Sequence, residues 1–380
     1  MKLTGDWIRA GHVQSVLAML AAAGHRALLV GGCVRNDLLG QPVADIDIAT
    51  DARPLRVVEL AAQAGLKSVP TGIDHGTVTV IAEGVPHEVT TFRRDVETDG
   101  RRAVVAFTHE VALDAARRDF TMNALYAEAD GTVIDPIGGL PDLLARKVRF
   151  VGDAHARIRE DALRILRFFR FHAWYGDPAQ GMDTEALAAC AAHPEGLAPL
   201  SKERIGHEMR RLLAASDPAP ALAAMQAAGL LSIILPGADA TAMAVLVHLE
   251  DGLAPDWIRR LALLGSADAT DALRLSRDED RRLSATRTAA TEGAPAAEVG
   301  YRIGADCARD AMLVRAALLG QPLPHGWQDE AARGAAAVFP VRAADLMPGL
   351  AGEALGHRLR ELEERWIASD FQLSREQLLA

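Results

Sequence analysis

The chain runs to 380 residues, 49% hydrophobic and 24% charged, with a formal net charge of -10, the balance of a soluble globular protein with sizeable cores and room for two to four domains. No run of eighteen apolar residues occurs, and the first residues lack the basic and apolar regions of an export signal, which excludes a membrane span and points to the cytoplasm. Cys33, Cys190 and Cys307 are too few and too far apart for a disulfide framework or a zinc site, the twelve histidines fall at no metal-ligand spacing, and the acidic total argues against nucleic acid except through local basic strips.

Ile8, Val13, Val16, Leu17 and Leu20 predict a helix over 6–23 that stops at Gly24. Leu28, Leu29 and Val30 predict a short strand running into Gly31 and Gly32, and residues 45–48 a second strand. A helix is expected over 54–65, with Pro54 in its first turn and Thr50 or Asp51 as cap. Strands follow at 77–82 and 86–92, joined by a turn at Glu83 and Gly84. Residues 95–102 are polar and read as a mobile surface loop, after which helix returns over 112–127 and a turn falls at Asp130 and Gly131. From residue 154 onward nearly everything reads as helix, divided by Pro194, Pro199, Pro218, Pro220 and Pro236. The stretch 289–297 reads as a solvated linker or an alanine-rich helix. With 4% aromatic residues and abundant alanine, the later helices should pack closely through small side chains.

Three groups of residues point to chemistry. Gly31, Gly32 and Arg35 precede Asp45 and Asp47 by a short interval; the glycines let backbone amides approach a phosphate, and two carboxylates one residue apart repel unless a cation lies between them. That pattern predicts a Mg2+ site for a triphosphate, with Asp45 and Asp47 on one strand face and Ile46 and Ile48 in the core. Glu88, between the apolar positions of the next strands, is the acid best placed to complete it, or else a glutamate facing water. Arg117, Arg118, Asp119 and Asn123 form the second group: Arg118 suits a phosphate through its planar fork, or forms a salt bridge with Asp119 at a helix start. In the third, one helix over 159–170 carries Asp161, Arg164, Arg167 and Arg170 at intervals of three. A carboxylate beside an arginine presents acceptors and donors on one edge, as a base-pairing partner does, although such spacing also serves ordinary helical ion pairs. Ser201 reads as the cap of a following helix in which Glu203, Arg204 and Glu208 buttress rather than touch a ligand.

Five blocks resemble one family, the class II tRNA nucleotidyltransferases that add CCA to tRNA ends, together with the bacterial poly(A) polymerases. They are LLVGGCVRNDLLGQPVADIDIAT (28–50), HEVTTFRRDVETDGR (87–101), RRDFTMNAL (117–125), DPIGGLPDL (135–143) with REDALRILRFFRF (159–171), and SKERIGHEMRRLL (201–213). The resemblance covers about residues 25–215. It implies an α+β fold: a polymerase-beta-like nucleotidyltransferase head over 1–140 with a mixed sheet and helices, a helical nucleotide-recognition neck over 141–215, and an all-α body and tail over 216–380 as a tRNA-binding region. It further implies that Gly32 and Arg35 contact the triphosphate, that Asp45, Asp47 and Glu88 are the catalytic Mg2+ ligands, that Arg118 binds phosphate or ribose, that Asp161 and Arg164 pair with the incoming base, and that Arg167 and Arg170 support the nucleotide. Residues 135–139 look like the family's hinge, and the loop near 95–101 like one that moves between C and A addition. Asn36 departs from the aspartate usual after the first-block arginine; it keeps the hydrogen-bonding shape and drops the charge.

The activity so implied is addition of C, C and A to tRNA 3′ ends from CTP and ATP, with release of pyrophosphate and no protein partner or membrane. Poly(A) synthesis, or addition of A alone or C alone, is the alternative. A non-catalytic RNA-binding protein would have lost a metal acid or a base-reading residue, and all are present.

Overall fold

The computed structural model describes residues 1–99, 102–347 and 349–380. The chain forms two compact units, Met1–Ser216 with Pro220–Ile234, and Asp217–Ala219 with Leu235–Ala380. The first unit is built on strands β1 (Ala27–Val30), β2 (Asp47–Thr50), β3 (Lys67–Gly72), β4 (Thr77–Ala82), β5 (Val85–Thr91), β6 (Arg93–Asp99), β7 (Arg102–Phe107), β8 (Tyr126–Ala127) and β9 (Val133–Ile134). Seven of these make one sheet in the order β3-β4-β5-β2-β1-β8-β9, and β6 pairs with β7 in a separate ribbon.

Leu28, Leu29 and Val30 are buried, as a short central strand requires. β1 runs antiparallel to β2 with Val30 opposite Asp47, and β2 runs parallel to β5 with Asp47 beside Glu88. The expected turn at Glu83 and Gly84 is present, both residues left-handed at φ 50° and 81°, and the hairpin it closes sets Thr79 of β4 opposite Glu88. One transverse row of the sheet therefore reads Tyr126, Val30, Asp47, Glu88, Thr79.

The helices of this unit are α1 (Gly11–Ala22), α2 (Gly32–Leu38), α3 (Pro54–Gln63), α4 (Val111–Ala116), α5 (Leu140–Leu144), α6 (Ala154–Glu160), α7 (Leu163–Tyr175), α8 (Thr184–Ala191), α9 (Lys202–Leu213), α10 (Ala219–Ala227) and α11 (Leu230–Ile234). Several segments differ from the sequence expectation. The first helix begins as a separate 3-10 turn, Asp6–Arg9, because the Asp37 carboxylate accepts from the Thr4 and Gly5 amides (2.9 and 2.8 Å) and the Trp7 indole (2.7 Å) and pins the chain there. α3 keeps Pro54 in its first turn, but its cap position is Arg53: Thr50 ends β2, and Asp51 accepts from the Arg26 amide and approaches the His25 ring instead. The expected loop over 95–102 belongs to the β6–β7 ribbon, with Asp99 opposite Arg102; Gly100 and Arg101 lie outside the described residues.

The helix expected over 112–127 ends at Ala116. Tertiary pairing overrides its periodicity: the Thr121 amide donates to the Arg149 carbonyl (3.0 Å), the Val151 amide to the Asp119 carbonyl (3.0 Å), and Phe120 bridges to Phe150 before the chain enters β8. Gly139 is packed under this crossing, since a Cβ on it would stand 2.2 Å from the Thr121 carbonyl oxygen. The helix expected over 159–170 is two helices, α6 and α7, parted at Asp161, which is extended at φ -154° and ψ 104°. Ser201 caps α9 as expected.

The second unit is helical: α12 (Met243–Leu249), α13 (Trp257–Leu264), α14 (Ala269–Ala272), α15 (Arg277–Glu292), α16 (Ala296–Ile303), α17 (Ala305–Leu319), α18 (Trp327–Ala336), α19 (Ala343–Leu346), α20 (Gly352–Ala368) and α21 (Arg375–Leu379). The stretch 289–297 is neither wholly linker nor wholly helix, for α15 ends at left-handed Gly293 and α16 starts after Pro295. Packing through small residues is borne out where α16 meets α18: a Cβ on Gly300 would lie 2.0 Å from the Ala331 carbonyl oxygen, and one on Gly334 1.8 Å from that of Ala297. Within this unit Arg259 and Arg260 are fully buried, paired with Glu250 and, for Arg259, with Asp310. Among the described residues no helix is long and apolar enough to cross a membrane.

Candidate active site

The site begins where β1 stops. Gly31 turns the chain at φ 73°, a conformation that favours glycine, and the Arg118 guanidinium lies 3.3 Å from where a side chain would begin. α2 then starts at Gly32, directing its first amides into the same space. Opposite Val30 stands Asp47, with Glu88 on its other side. Asp45 precedes β2 rather than lying on it and is exposed. Ile48 is in the core as expected, whereas Ile46 is only half-buried and lines, with Asp45, Asp47 and Glu88, a cavity of about 570 Å³.

Electrostatics mark Asp47. Burial and then the neighbouring Glu88 and Asp45 carboxylates push its pKa up from 3.8 to about 6, against the pull of Arg118. Three neighbouring oxygen-donor acids suit a hard divalent cation better than zinc or copper. Among the described residues no three acids, histidines or cysteines already stand at the mutual spacing of a metal cluster, so the carboxylates share a cavity without being drawn together. Beneath them Cys33 donates to the Val30 carbonyl, and burial pushes its thiol up to about 11, which makes it an inert packing residue.

Arg118 does not pair with Asp119. Its Nε donates to the Tyr126 hydroxyl (3.1 Å) and its Nη2 to Asp114 (3.2 Å). Asp114 also accepts from Arg117 Nε (2.8 Å) and the Tyr126 hydroxyl (2.6 Å). Burial, which alone would raise the Asp114 pKa, is outweighed by Arg117 and Arg118, so this carboxyl is held below its ordinary range. Sequence reading passed over Asp114, although its position three and four residues before the two arginines was the available signal.

Asp119 faces the helices. One oxygen accepts from the Phe120 amide and Asn123 Nδ2 (2.8 and 2.9 Å), the other from Arg167 Nε (2.8 Å). Burial is again outweighed, here by Arg167 and these hydrogen bonds, and the Asp119 carboxyl sits well below its usual range. Arg167 also lies 3.6 Å from Glu208, which accepts from Arg170. Arg35 is buried: it donates to Asn36 Oδ1 (3.1 and 2.8 Å), to Asn123 Oδ1 and to the Tyr175 hydroxyl (2.8 Å), with the Tyr175 ring 4.0 Å from its guanidinium carbon. Asn36 in turn donates to the Pro42 carbonyl (2.9 Å), a bond that a carboxylate at this position would lose.

Asp161 and Arg164 are adjacent but not paired. Asp161 accepts from the Leu163 amide (3.1 Å) and from Arg204 Nη2 (2.6 Å), while Arg164 donates to Glu160 (2.5 Å) and to the Arg157 carbonyl (2.7 Å). Arg157 reaches back to the Arg117 and Arg118 carbonyls. Arg204, expected only as a buttress, is thus the direct partner of Asp161, and Tyr175 was not singled out at all. The hydrogen-bond network between the β1–α2 turn and α6, α7 and α9 falls into three sets, one around Asp119 and Glu208, one around Asp114 and Glu160, and the pair Asp161 and Arg204, with eight arginines (35, 117, 118, 157, 164, 167, 170, 204) against five acids (114, 119, 160, 161, 208). Its excess of positive charge lies beside the three acids of the cavity. Asp135 accepts from the Gly139 and Leu140 amides (2.8 and 2.9 Å), closing a turn at residues 135–139.

The chain matches the family described as Poly A polymerase head domain over residues 27–149, and that described as the probable RNA and SrmB-binding site of polymerase A over 181–241. It is 43% identical over 202 residues to CCA tRNA nucleotidyltransferase 1, mitochondrial, of Mus musculus, covering 53% of this chain and 46% of that protein. With a CCA-adding enzyme of Geobacillus thermodenitrificans it shares 41% over 249 residues, 65% of this chain and 56% of the relative. The chain therefore spans about half the length of these curated relatives. The crystal structure of the Bacillus stearothermophilus CCA-adding enzyme in complex with CTP superposes with a TM-score of 0.75 at 30% identity, covering 94% of this chain and 93% of that one.

Proposed function

This chain belongs to the family of CCA-adding enzymes and poly(A) polymerases, and from that premise we propose that it adds C, C and A to tRNA 3′ ends, using CTP and ATP with magnesium. The observation that carries this reading is the transverse row in which Asp47 and Glu88 stand side by side next to the Gly31 turn, with Arg118 over that turn and Asp119 tying the turn's neighbourhood to the helix of Arg167.

Enzymes of this kind use a divalent metal ion; held by Asp45 and Asp47 with Glu88 beside them, it would polarise the α-phosphate and lower the pKa of the attacking hydroxyl. The protein's own groups do the rest. Gly31 and Gly32 leave room for the phosphates, Arg118 meets their charge, and Asp161 and Arg164 supply acceptor and donor edges for the base. Arg167 and Arg170, locked onto Asp119 and Glu208, keep α7 in place under the nucleotide. Arg35 acts from inside: buried between Asn123 and Tyr175, it holds the start of α2 against α7. In the transfer the 3′-hydroxyl oxygen of the acceptor bonds to the α-phosphorus, and the bond from that phosphorus to its bridging oxygen breaks. Pyrophosphate leaves with the electron pair, and the hydroxyl proton passes to solvent. The three free cysteines support a reducing, cytoplasmic setting.

The test is incubation with a tRNA transcript lacking its CCA end, magnesium, and CTP, ATP or both, followed by sequencing of the products. CCA ends are expected; long A tails, or A or C alone, would replace this reading with the corresponding narrower one.

A further inference from the structure

We infer that Tyr175 and Phe171 are positioning residues that hold Arg35 as an unpaired cation beside the β1–α2 turn, and that Asn36 keeps it unpaired, so that its charge acts on the triphosphate from inside the fold. The inference deepens the proposed function and rests on it. Nη2 of Arg35 lies 3.8 Å from where a side chain on Gly32 would begin, so the guanidinium stands next to the first amides of α2. It is 7% exposed, and its acceptors are the Asn36 and Asn123 amide oxygens and the Tyr175 hydroxyl, none of them a carboxylate.

A buried charge is normally paired, because its lost hydration is otherwise uncompensated. Here aromatic faces take that part. The centre of the Tyr175 ring lies 4.0 Å from the Arg35 guanidinium carbon, and that of the Phe171 ring 5.2 Å. The same Phe171 ring faces Arg167 (5.4 Å) and Arg170 (4.5 Å). A ring face attracts a cation without neutralising it. Around Phe171 three arginines, 35, 167 and 170, therefore share two acids, Asp119 and Glu208, and Asn123 spans the gap, donating to Asp119 (2.9 Å) and accepting from Arg35. One positive charge of this set is left over. Burial pulls the Arg35 pKa below its ordinary value, the mark of a cation held against its loss of water. A guanidinium nevertheless stays protonated, so the charge is in place before nucleotide arrives. Fixed in a water-poor setting, it acts on a neighbouring anion more strongly than a charge in solvent does. Asn36 decides whether it is free to do so, since its Oδ1 takes two donors of the guanidinium (3.1 and 2.8 Å) at the place where a carboxylate would neutralise it.

Asn36→Asp and Asn36→Ala separate charge from packing, because both give up the bond to the Pro42 carbonyl and only the first neutralises Arg35. Affinities for CTP and for CMP are measured by calorimetry on the full chain, with magnesium and no RNA. Asn36→Asp should lower the ratio of CTP to CMP affinity roughly threefold to tenfold, as the loss of one partly screened charge does, and Asn36→Ala should keep the wild-type ratio. Tyr175→Leu, which removes the ring under the cation, should lower the ratio too, whereas Tyr175→Phe, which keeps the ring, should retain it. Equal ratios in the Asp and Ala variants, or the same loss in Tyr175→Phe as in Tyr175→Leu, would show that Arg35 only packs α2 against α7. Either result would overturn the inference and, with tRNA extended by the wild type, leave the proposed function standing. Wild-type protein that binds CTP no more tightly than CMP, or that leaves tRNA unextended, would remove the function and this inference with it.

Discussion

A carboxyl group that titrates near 6 inside a folded protein costs the fold stability once it is ionised. Asp47 takes up a proton in the native state more readily than in the unfolded chain, where its pKa is near 3.8. Native protein therefore binds the extra proton between these values, and stability falls as pH rises from about 4 to about 6. In divalent-free buffer Asp47→Asn should accordingly stabilise the protein at pH 7.5, by up to about 3 kcal/mol, and should change nothing at pH 4. Adding magnesium should raise the melting temperature of the wild type and not of the variant. Thermal unfolding at both pH values decides the matter, and equal melting temperatures throughout would show that no such repulsion exists. Arg204 offers a second residue test. It is the partner of Asp161 at 2.6 Å, so Arg204→Ala should lower kcat/KM for CTP and ATP by roughly tenfold to a hundredfold, the worth of a charged hydrogen bond. Activity equal to wild type would mean that Asp161 holds its geometry through the Leu163 amide alone.

Between elements, close approach matters more than ion pairs. α16 and α18 cross with backbone against backbone at Gly300 and Gly334, a contact any side chain would wedge apart. Gly334→Ala should destabilise the protein by roughly 1–3 kcal/mol or more, seen as a lower denaturation midpoint at unchanged slope; an unaltered midpoint would show that the helices slide at no cost. The small-residue packing behind this was legible in composition, and the short strands around Asp47 were legible because apolar residues, glycine and paired acids have few other uses. The two helices that were misjudged failed for one reason. Periodicity over 112–127 and 159–170 is helical, yet long-range bonds decide those segments: Phe120 is drawn to Phe150, and Asp161 leaves the helix for Arg204, 43 residues on. The ribbon of β6 and β7 was hidden by polarity, since the sequence over 95–102 lacks the apolar alternation by which a strand is read. Of the candidate site, most residue types could be read from the sequence, but their distant partners could not: Asp119 with Arg167 and Arg35 with Tyr175 join residues whose pairing only the fold creates.

At the level of the whole chain, the groups assigned to chemistry all lie in the unit Met1–Ser216 with Pro220–Ile234. The second unit has a different charge economy. Residues 235–380 contain 16 arginines, no lysine and 22 acids, and many of those arginines are engaged: Arg259 and Arg260 with buried Glu250, Arg282 with Asp256 and Asp310, Arg302 with Glu298 and Glu364, Arg333 with Glu330 and Asp370. If this unit grips tRNA, as the family resemblance implies, it does so through shape and neutral contacts such as ribose hydroxyls rather than by neutralising many phosphates. Each phosphate contact steepens the fall of affinity with salt, so the two modes separate experimentally. A chain ending at residue 234 should bind CTP as the full chain does and bind tRNA more weakly, but with the same slope of log affinity against log salt concentration. A shallower slope in the shortened chain would show that the second unit supplies phosphate contacts after all, and unchanged tRNA affinity would remove it from RNA binding altogether.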